Sequence, residues 1–346
     1  MVTTQAQPLA LLGAAGSPYT RKMLAVLRYR RIPYAIHWGS HRTPPAGFPE
    51  PKVKLLPTFY FPKDDGYEAV TDSTPIIRRL EDAHAGRSVL PDDPVVRFLS
   101  DLIEDYADEW LTKAMFHFRW AHQADIDNAG PMLVFWNSPT IPDAIAERAS
   151  AEISQRQIDR LYVVGSNATT AATIEQSYAR AIDALDAVIT QQGYLLGTRP
   201  SAADFAIYGQ LTQLAIIEPT SAAITQTHSR RVRAWLDRVE DLSGLEPDTA
   251  IWTPRDQLKA MLSPLLGEIG RVYVPFLLAN ARATMTGLPQ FETEIDGRPW
   301  TQPTFPYQAK CLGWLREAHS GLSPADRSAL DQVLAGTGCE RLFGEV

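Results

Sequence analysis

The first part of the chain alternates between hydrophobic patterns with the period of a strand and patterns with the period of a helix. Apolar or aromatic runs predict four strands, over Leu9–Leu12, Tyr34–Trp38, Leu55–Phe61 and Tyr67–Val70. Helical patterns cover Tyr19–Arg30 and the residues from Ser73 through Leu80, and Asp64-Asp65-Gly66 predicts a turn between the last two strands. The predicted order is β-α-β followed by β-β-α.

From about residue 91 onward the pattern becomes almost entirely helical. Helices are predicted over Leu99–Trp120, Ile174–Gln192 and Arg230–Val239. The segment Ala121–Pro142 contains an irregular stretch that bears glycine and proline. Ser201 and Asp204 form a variant of the capping box that begins a further helix. We therefore predict an α/β thioredoxin-like domain over residues 1–88 and an all-helical domain over residues 91–245.

Residues 250–346 form an additional, mainly helical extension. A helical pattern over Arg255–Thr286 is expected to break at Pro264 and Pro275, where proline removes a backbone donor. Asp296-Gly297 predicts a hairpin turn, and Ser323 predicts the start of a last helix. The aromatic side chains of this extension lead us to expect that it packs on the helical domain and covers or reshapes the cleft there.

Composition and charge exclude several classes of function. The 346 residues carry a formal net charge of −7, which is the wrong sign for a duplex nucleic-acid surface. No apolar run approaches the length of a transmembrane helix, and the N-terminal residues lack a basic signal-peptide region. Cys311 and Cys339 are too few for a disulfide framework or a zinc cluster, so we expect reduced, buried thiols and no metal. A cytoplasmic protein is expected.

Three short motifs in the first domain could bind an anionic or peptide-like ligand. Ser17 precedes the first helix, Leu56-Pro57 precedes the third strand, and Asp72-Ser73 precedes the second helix. Each has an ordinary interpretation, since Ser-Pro is a common helix start and Leu-Pro is unremarkable at the beginning of a strand. Their occurrence in this order within this pattern of elements is much more specific.

The chain resembles the glutathione S-transferases over roughly its first 245 residues. The matching pieces are SPYTRKM, LPTFYF, DSTPIIRRLE and RPSAADFAIYGQL. The resemblance implies that Pro57 is cis, that the Leu56 backbone pairs with the cysteinyl part of glutathione, and that Ser17 lies beside its sulfur. It also implies that Asp72 and Ser73 hold the γ-glutamyl group. Lys54 could meet the glycyl carboxylate, or it could simply be a solvated lysine.

Physical chemistry agrees with these implied roles. A cis X-Pro bond can present the preceding backbone groups to an extended peptide, and a helix N-terminus favours a carboxylate. A free thiol with a pKa near 8.5 is mostly protonated at neutral pH, and a helix N-terminus lowers that pKa. Ser17 could then donate a hydrogen bond to the thiolate. Serine instead of cysteine at this position favours activation of glutathione over a mixed disulfide with it.

The long helix beginning at Leu99 offers a wall for a second substrate. Tyr106, Trp110, Lys113 and His117 recur at helical spacing, and Tyr19 is a further candidate for this wall. Core packing is the simpler interpretation for Trp110, and an i, i+4 ion pair with Glu109 would explain Lys113 without any substrate. The acidic group Glu104, Asp105, Asp108 and Glu109 is expected to form a solvated face.

These inferences give two alternative functions. The first is a glutathione-dependent transferase in which the thiolate attacks a small hydrophobic or aromatic electrophile, by conjugation, ether cleavage, dehalogenation or isomerisation. The second is a non-catalytic binding or scaffold protein with the same fold. A homodimer follows from the family resemblance alone.

Overall fold

A four-stranded mixed sheet organises the first domain of the computed structural model, which describes residues 8–41, 44–64, 66–247 and 251–344. The strands are β1 (Leu9–Gly13), β2 (Tyr34–Trp38), β3 (Thr58–Lys63) and β4 (Gly66–Val70). Their order across the sheet is β2-β1-β3-β4, with β1 parallel to β2 and antiparallel to β3. Helices α1 (Pro18–Tyr29) and α2 (Ser73–Ala83) complete the domain. The predicted order is confirmed; Asp65 of the predicted turn lies outside the described residues.

The start of β3 differs from the expectation. The strand begins at Thr58 and not at Leu55, and the Leu56–Pro57 peptide bond that precedes it is cis, as the family resemblance implies. Proline has no N–H to donate to the sheet, which explains why the ladder begins only after it. Residues 53–57 form an irregular segment before β3.

In the described residues, a series of α-helices follows the first domain. They are α3 (Pro94–Tyr106), α4 (Thr112–Ala121), α5 (Gln123–Asn137), α6 (Asp143–Ile158), α7 (Ala171–Gln192), α8 (Ala202–Thr212), α9 (Pro219–His228) and α10 (Arg230–Val239). A π-helical turn at Ala107–Leu111 joins α3 to α4. The capping box of Ser201 and Asp204 is present at the start of α8, as predicted.

The irregular stretch expected within Ala121–Pro142 is largely confined to residues 138–142, because α5 continues through Gly130 and Pro131 as one helix. Close packing against α6 accounts for this difference. A Cβ added to Gly130 would lie 2.5 Å from the Ser154 Oγ atom, so the two helices approach each other closely at this glycine. Tertiary packing here outweighs the tendency of proline to break a helix. Such packing between helices cannot be seen in the pattern of a single sequence.

The extension adds four helices and a hairpin. These are α11 (Arg255–Glu268), α12 (Val274–Met285), β5 (Gln290–Ile295), β6 (Arg298–Pro303), α13 (Pro306–Ser320) and α14 (Pro324–Leu334). The hairpin turn at Asp296-Gly297 is confirmed, with φ of 56° and 70° at its two residues. The helix α13 was not predicted from the sequence pattern.

The prolines of the extension do not break its first helix as expected. A π-helical turn at Ile269–Tyr273 joins α11 to α12, and Pro275 falls in the first turn of α12. The resulting helix, Arg255–Met285, is long and apolar enough by length and composition to cross a membrane. Its most apolar window is 61% buried inside the protein, so most of that window packs in the core.

Gly209 marks a close approach between the two domains. A Cβ at this position of α8 would lie 2.6 Å from the Pro18 carbonyl oxygen and 2.9 Å from the Lys22 Cβ atom. We expect Gly209→Ala to lower the free energy of unfolding by about 1–3 kcal/mol, because α1 must shift away from α8. Gly267→Ala is the matched helical control, since its Cβ would meet nothing within 4 Å. Equal effects of both substitutions in urea unfolding would contradict this packing argument.

Candidate active site

A cavity of about 1000 Å³ lies where the first domain, the helix pair α3–α4 and the extension meet. The first domain contributes Leu56, Pro57, Asp72 and Ser73 to its wall. Tyr307, Cys311 and Trp314 of α13 form another part of the wall. The motifs Leu56-Pro57 and Asp72-Ser73 therefore come together on one wall, and the extension helps to enclose the space in front of them.

Asp72 has a strained backbone at the edge of this cavity. Its φ and ψ angles are 80° and 114°, and Ser73 is the first residue of α2. A non-glycine residue with positive φ is uncommon and is found most often at functional sites. Asp72 forms no side-chain cap to the helix, so its carboxylate is turned away from the N-terminal backbone groups of α2. Ser73, predicted as the N-cap, is instead one position inside the helix.

Both residues of this pair already have side-chain partners. The Tyr307 hydroxyl donates a 2.8 Å hydrogen bond to the Asp72 Oδ2 atom, and the Lys22 Nζ atom donates a 2.9 Å hydrogen bond to the Ser73 Oγ atom. Lys22 is 1% exposed and also contacts the carboxylates of Glu104 (2.7 Å) and Asp108 (2.6 Å). A ligand that binds Asp72 through an ammonium group must therefore share or replace the contact with Tyr307.

Ser17 lies beside this cavity but outside its wall. Its Oγ atom accepts a 3.2 Å hydrogen bond from the Thr20 N–H, which is the ordinary N-cap arrangement at the start of α1. Ser17 is not among the described residues that line the cavity, whereas Tyr19 is. The Tyr19 hydroxyl donates a 2.6 Å hydrogen bond to the Asp108 carbonyl oxygen. Burial raises the pKa of Tyr19 well above its ordinary value, so this hydroxyl stays protonated.

The prediction of a solvated acidic face is wrong. Glu104, Asp105, Asp108 and Glu109 all line the cavity, and Glu104 is only 2% exposed. Several segments cover this face: Lys22 of α1 contacts Glu104 and Asp108, Tyr273 donates to Asp105, and α13 packs against α3. Gln308 donates a 2.9 Å hydrogen bond to the Glu109 Oε2 atom.

The environment of these carboxyl groups favours their neutral forms. Burial raises the pKa of Asp105 to about 7 and, together with the charge of Asp105, raises the pKa of Glu109 to about 8. The pKa of Asp108 rises to about 6, because burial outweighs the opposing charge of Lys22. The cavity wall is therefore partly protonated near neutral pH and becomes more negative as the pH rises.

Several residues of the long helix were predicted to contact a second substrate. Among them, Lys113 lies in the cavity wall. Its Nζ atom lies 3.2 Å from the Gln302 Oε1 atom and 4.1 Å from the centre of the Phe276 ring. Burial lowers the pKa of Lys113 to about 7. In the described part of the chain its ammonium contacts Gln302 in place of the expected ion pair with Glu109.

The other predicted substrate residues lie in the interior. Tyr106 is fully buried, and Trp110 packs 5.3 Å from the Trp300 ring of the extension while its Nε1 atom donates to the Ser177 Oγ atom at 2.7 Å. Neither residue is among the described residues that line the cavity. Core packing, the simpler interpretation offered for Trp110, therefore describes both.

His117 and Lys54 are also separate from the cavity wall among the described residues. His117 is 2% exposed and faces Ser166 and Glu175. Lys54 is about half exposed and forms an ion pair with Glu50, with 2.8 Å between Nζ and Oε2. The structure thus gives Lys54 the arrangement of a solvated surface lysine.

Sequence reasoning missed the cavity residues of the extension. Tyr307, Gln308, Cys311 and Trp314 lie on α13, whose apolar positions do not follow one clean stripe. The aromatic content of the extension was the one available signal, and it indicated packing without indicating which surface would be covered. The two cysteines are free and buried, as predicted.

Comparison with known proteins agrees with this architecture. Residues 11–88 match the family model "Glutathione S-transferase, N-terminal domain", and residues 143–238 match "Glutathione S-transferase, C-terminal domain". No curated protein matches the chain.

Three solved structures illustrate the likeness. The beta-etherase LigF from Sphingobium sp. strain SYK-6 is 20% identical, with a TM-score of 0.44, over 67% of this chain and 95% of LigF. FzlA from C. crescentus is 15% identical, with a TM-score of 0.43, over 67% of this chain and 88% of FzlA. A glutathione S-transferase from Methylobacterium radiotolerans, in complex with glutathione sulfonate, is 18% identical, with a TM-score of 0.38, over 67% of this chain and 95% of that one. From the two family matches and the observed fold, the chain belongs to the glutathione S-transferase family.

Proposed function

We propose that this protein is a glutathione-dependent transferase that acts on a small hydrophobic or aromatic electrophile. The observation that carries the proposal is the shared wall formed by the cis Leu56–Pro57 bond and the Asp72-Ser73 pair, in front of a cavity of about 1000 Å³. Glutathione would extend along this wall, with its cysteinyl backbone paired to Leu56. Its γ-glutamyl carboxylate would meet the N-terminus of α2, and its ammonium would meet Asp72.

The mouth of the cavity supports an apolar second substrate. Val53, Leu55, Phe305 and Trp314 all line it, and each of these large apolar side chains is at least 42% exposed. Exposed apolar groups gathered around a cavity are typical of a binding site for an apolar ligand. The proposed reaction forms a bond between the glutathione sulfur and the electrophilic carbon, and the leaving group departs with the displaced electron pair.

The charge of the cavity restricts where the sulfur can lie. A thiolate beside Glu104, Asp105 and Asp108 would be opposed by their negative charge, so the favourable position is toward the N-terminus of α1. There Ser17 is the proposed donor to the thiolate. Tyr19 on the cavity wall is the alternative donor, and its hydroxyl would have to exchange its bond to the Asp108 carbonyl oxygen for one to the sulfur. Lys54 keeps only a proposed peripheral role toward the glycyl carboxylate, since Glu50 already neutralises its charge.

A specific observation favours the second candidate, a non-catalytic ligand-binding protein. Tyr307 already donates to the Asp72 carboxylate, so the acceptor proposed for the γ-glutamyl ammonium is partly satisfied by the protein itself. Such a contact lowers the affinity for glutathione unless binding displaces it. For either candidate we also propose, from the family alone, a cytoplasmic homodimer.

One titration series separates these candidates. Glutathione is titrated calorimetrically into the full chain and into Ser73→Ala, and turnover is then measured with a panel of aromatic halides, aryl ethers and epoxides. Binding with turnover that falls in Ser17→Ala or in Tyr19→Phe supports the transferase and identifies the thiolate donor. Binding without turnover supports the second candidate. Failure to bind glutathione contradicts the proposed transferase.

Tyr307→Phe is expected to tighten glutathione binding about 3- to 10-fold. The substitution removes a hydrogen bond of about 1 kcal/mol that competes with the ligand's ammonium for Asp72. Tyr273→Phe is the matched control, because Tyr273 also lies on the extension and donates to a carboxylate, that of Asp105 at 2.6 Å. Affinity that falls in Tyr307→Phe, or rises equally in both variants, would show that Tyr307 does not compete with the ligand.

A further inference from the structure

Two histidines and one glutamate form a compact group outside the cavity. His117 lies on α4, His122 lies between α4 and α5, and Glu175 lies near the start of α7. One nitrogen of each imidazole and one carboxylate oxygen all lie within 4.8 Å of one another. None of the three residues is among the described residues that line the cavity, so this group is separate from the proposed glutathione site.

The separations within this group fit the coordination of a single small cation. The Nε2 atom of His117 and the Nε2 atom of His122 each lie 3.2 Å from the Glu175 Oε1 atom. Ligands bound to Zn²⁺ at about 2.0–2.1 Å with tetrahedral angles lie about 3.3 Å from each other. The two rings are nearly perpendicular, with an interplanar angle of 87°, so their edges converge without stacking.

Ordinary hydrogen bonding does not account for the position of His122. Its Nε2 atom is buried and has no hydrogen-bond partner among the described residues, although the Glu175 oxygen is only 3.2 Å away. The nitrogen is therefore close to the carboxylate but not aligned with it. An N–H hydrogen bond to a charged partner usually shortens to about 2.7–2.9 Å. Neither histidine nitrogen lies that close to the Glu175 Oε1 atom.

The surroundings of His117 hold that ring in the orientation that a metal ligand needs. Its Nδ1 atom lies 2.8 Å from the Ser166 Oγ atom, and Ser166 is 5% exposed. When Nδ1–H donates to this hydroxyl, the lone pair of Nε2 is available toward Glu175 and His122. Metal-binding histidines commonly have their second nitrogen fixed by such a hydrogen bond.

We propose that His117 Nε2, His122 Nε2 and Glu175 Oε1 bind one Zn²⁺ ion, with water completing its coordination. Two imidazoles and a carboxylate are a donor set that suits zinc and neighbouring transition metals, whereas Mg²⁺ and Ca²⁺ prefer oxygen ligands alone. The side chains of His122 and Glu175 are 34% and 38% exposed, which leaves an open position toward solvent. The ion would connect the end of α4 to the start of α7.

The spacing of these residues explains why the sequence analysis expected no metal. His117 and His122 are five positions apart and belong to no common helical face, because α4 ends at Ala121. Glu175 is supplied by a helix more than 50 residues further along the chain. Only the packing of α4 against α7 brings the three side chains together.

The test uses the full chain, stripped with chelator and dialysed, and titrated with zinc sulfate in a calorimeter. We expect one Zn²⁺ per chain and a rise in Tm on binding. Glu175→Gln and His122→Asn are each expected to weaken binding at least about 10-fold, while His228→Asn is expected to bind like the wild type. His228 is a suitable control because it forms a surface pair with Asp183 at 2.9 Å, away from this group.

Cobalt supplies a readout that does not depend on stability. Co²⁺ in a site of low coordination number gives intense visible absorption, which we expect in the wild type and in His228→Asn and expect to be lost in Glu175→Gln. Circular dichroism of each chelator-stripped variant establishes that it is folded before titration. Absence of stoichiometric Zn²⁺ binding, or binding that survives both ligand substitutions in folded protein, would overturn the assignment.

Discussion

Lys22→Met is expected to lower the free energy of unfolding by about 3–5 kcal/mol, because it leaves two buried carboxylates without their cation. The Lys22 Nζ atom contacts Glu104 at 2.7 Å and Asp108 at 2.6 Å, and Lys22 itself is 1% exposed. Burial alone would lower the pKa of Lys22, but the charges of Asp108 and Glu104 outweigh it and raise that pKa. The ammonium is therefore charged throughout the pH range in which the protein can be studied.

Urea unfolding at pH 7 measures this effect, with Lys63→Met as the control. Lys63 is also a lysine beside a glutamate, but its side chain is 59% exposed and lies 3.7 Å from Glu68, so its removal should change stability by less than about 1 kcal/mol. Combining Lys22→Met with Glu104→Gln and Asp108→Asn should recover much of the loss. A Lys22→Met protein as stable as Lys63→Met would mean that water replaces the ammonium.

The same lysine connects stability to the proposed site. Lys22 donates to the Ser73 Oγ atom, so its loss frees a hydroxyl at the start of α2. This network joins α1, α2 and α3 behind the cavity wall. Ser73 is thus positioned in the cavity wall both by its place at the start of α2 and by its hydrogen bond from the buried Lys22, which is itself held by two carboxylates.

Local signals predicted the first wall of the candidate site. The Leu56-Pro57 and Asp72-Ser73 motifs, like Ser17 outside this wall, each mark the start of an element, and element starts are determined by neighbouring residues. The sequence also located the hairpin at Asp296-Gly297 for the same reason. The cis geometry of the Leu56–Pro57 bond was expected from the family resemblance and not from a local pattern. The sequence did not show which surfaces of distant helices would pack next to these element starts.

Contacts from distant segments explain the remaining errors. Asp105 accepts a hydrogen bond from Tyr273 of the extension, and Glu109 accepts one from Gln308 of α13, a contact that spans 199 positions. The contact between Tyr307 and Asp72 spans 235 positions and follows from no local pattern. The Trp110 ring similarly finds its partner on β6 of the extension. Acidic positions on a helix indicate a solvated face only if no other segment covers them.

The acidic wall leads to a pH dependence with a definite sign. Burial raises the pKa of Asp105 to about 7, so the folded state retains a proton that the unfolded chain has already released above about pH 4. The stability that this proton provides is fully present below the unfolded pKa and is lost as the pH rises through the folded pKa. Asp108, whose pKa rises to about 6 mainly through burial, acts in the same direction. The free energy of unfolding should therefore fall between pH 5 and pH 7.

Asp105→Asn is expected to reduce this fall by about 1–2 kcal/mol, a value discounted from the full shift because the side chain is only partly buried. The asparagine amide resembles the protonated acid and can still accept the hydrogen bond from Tyr273, so the variant should match the wild type at pH 5 and exceed its stability at pH 7. Urea unfolding at both pH values measures the difference, with Asp127→Asn on the exposed face of α5 as the control. Parallel stability curves for Asp105→Asn and the wild type would mean that water reaches this carboxylate and keeps it ionised beneath α13.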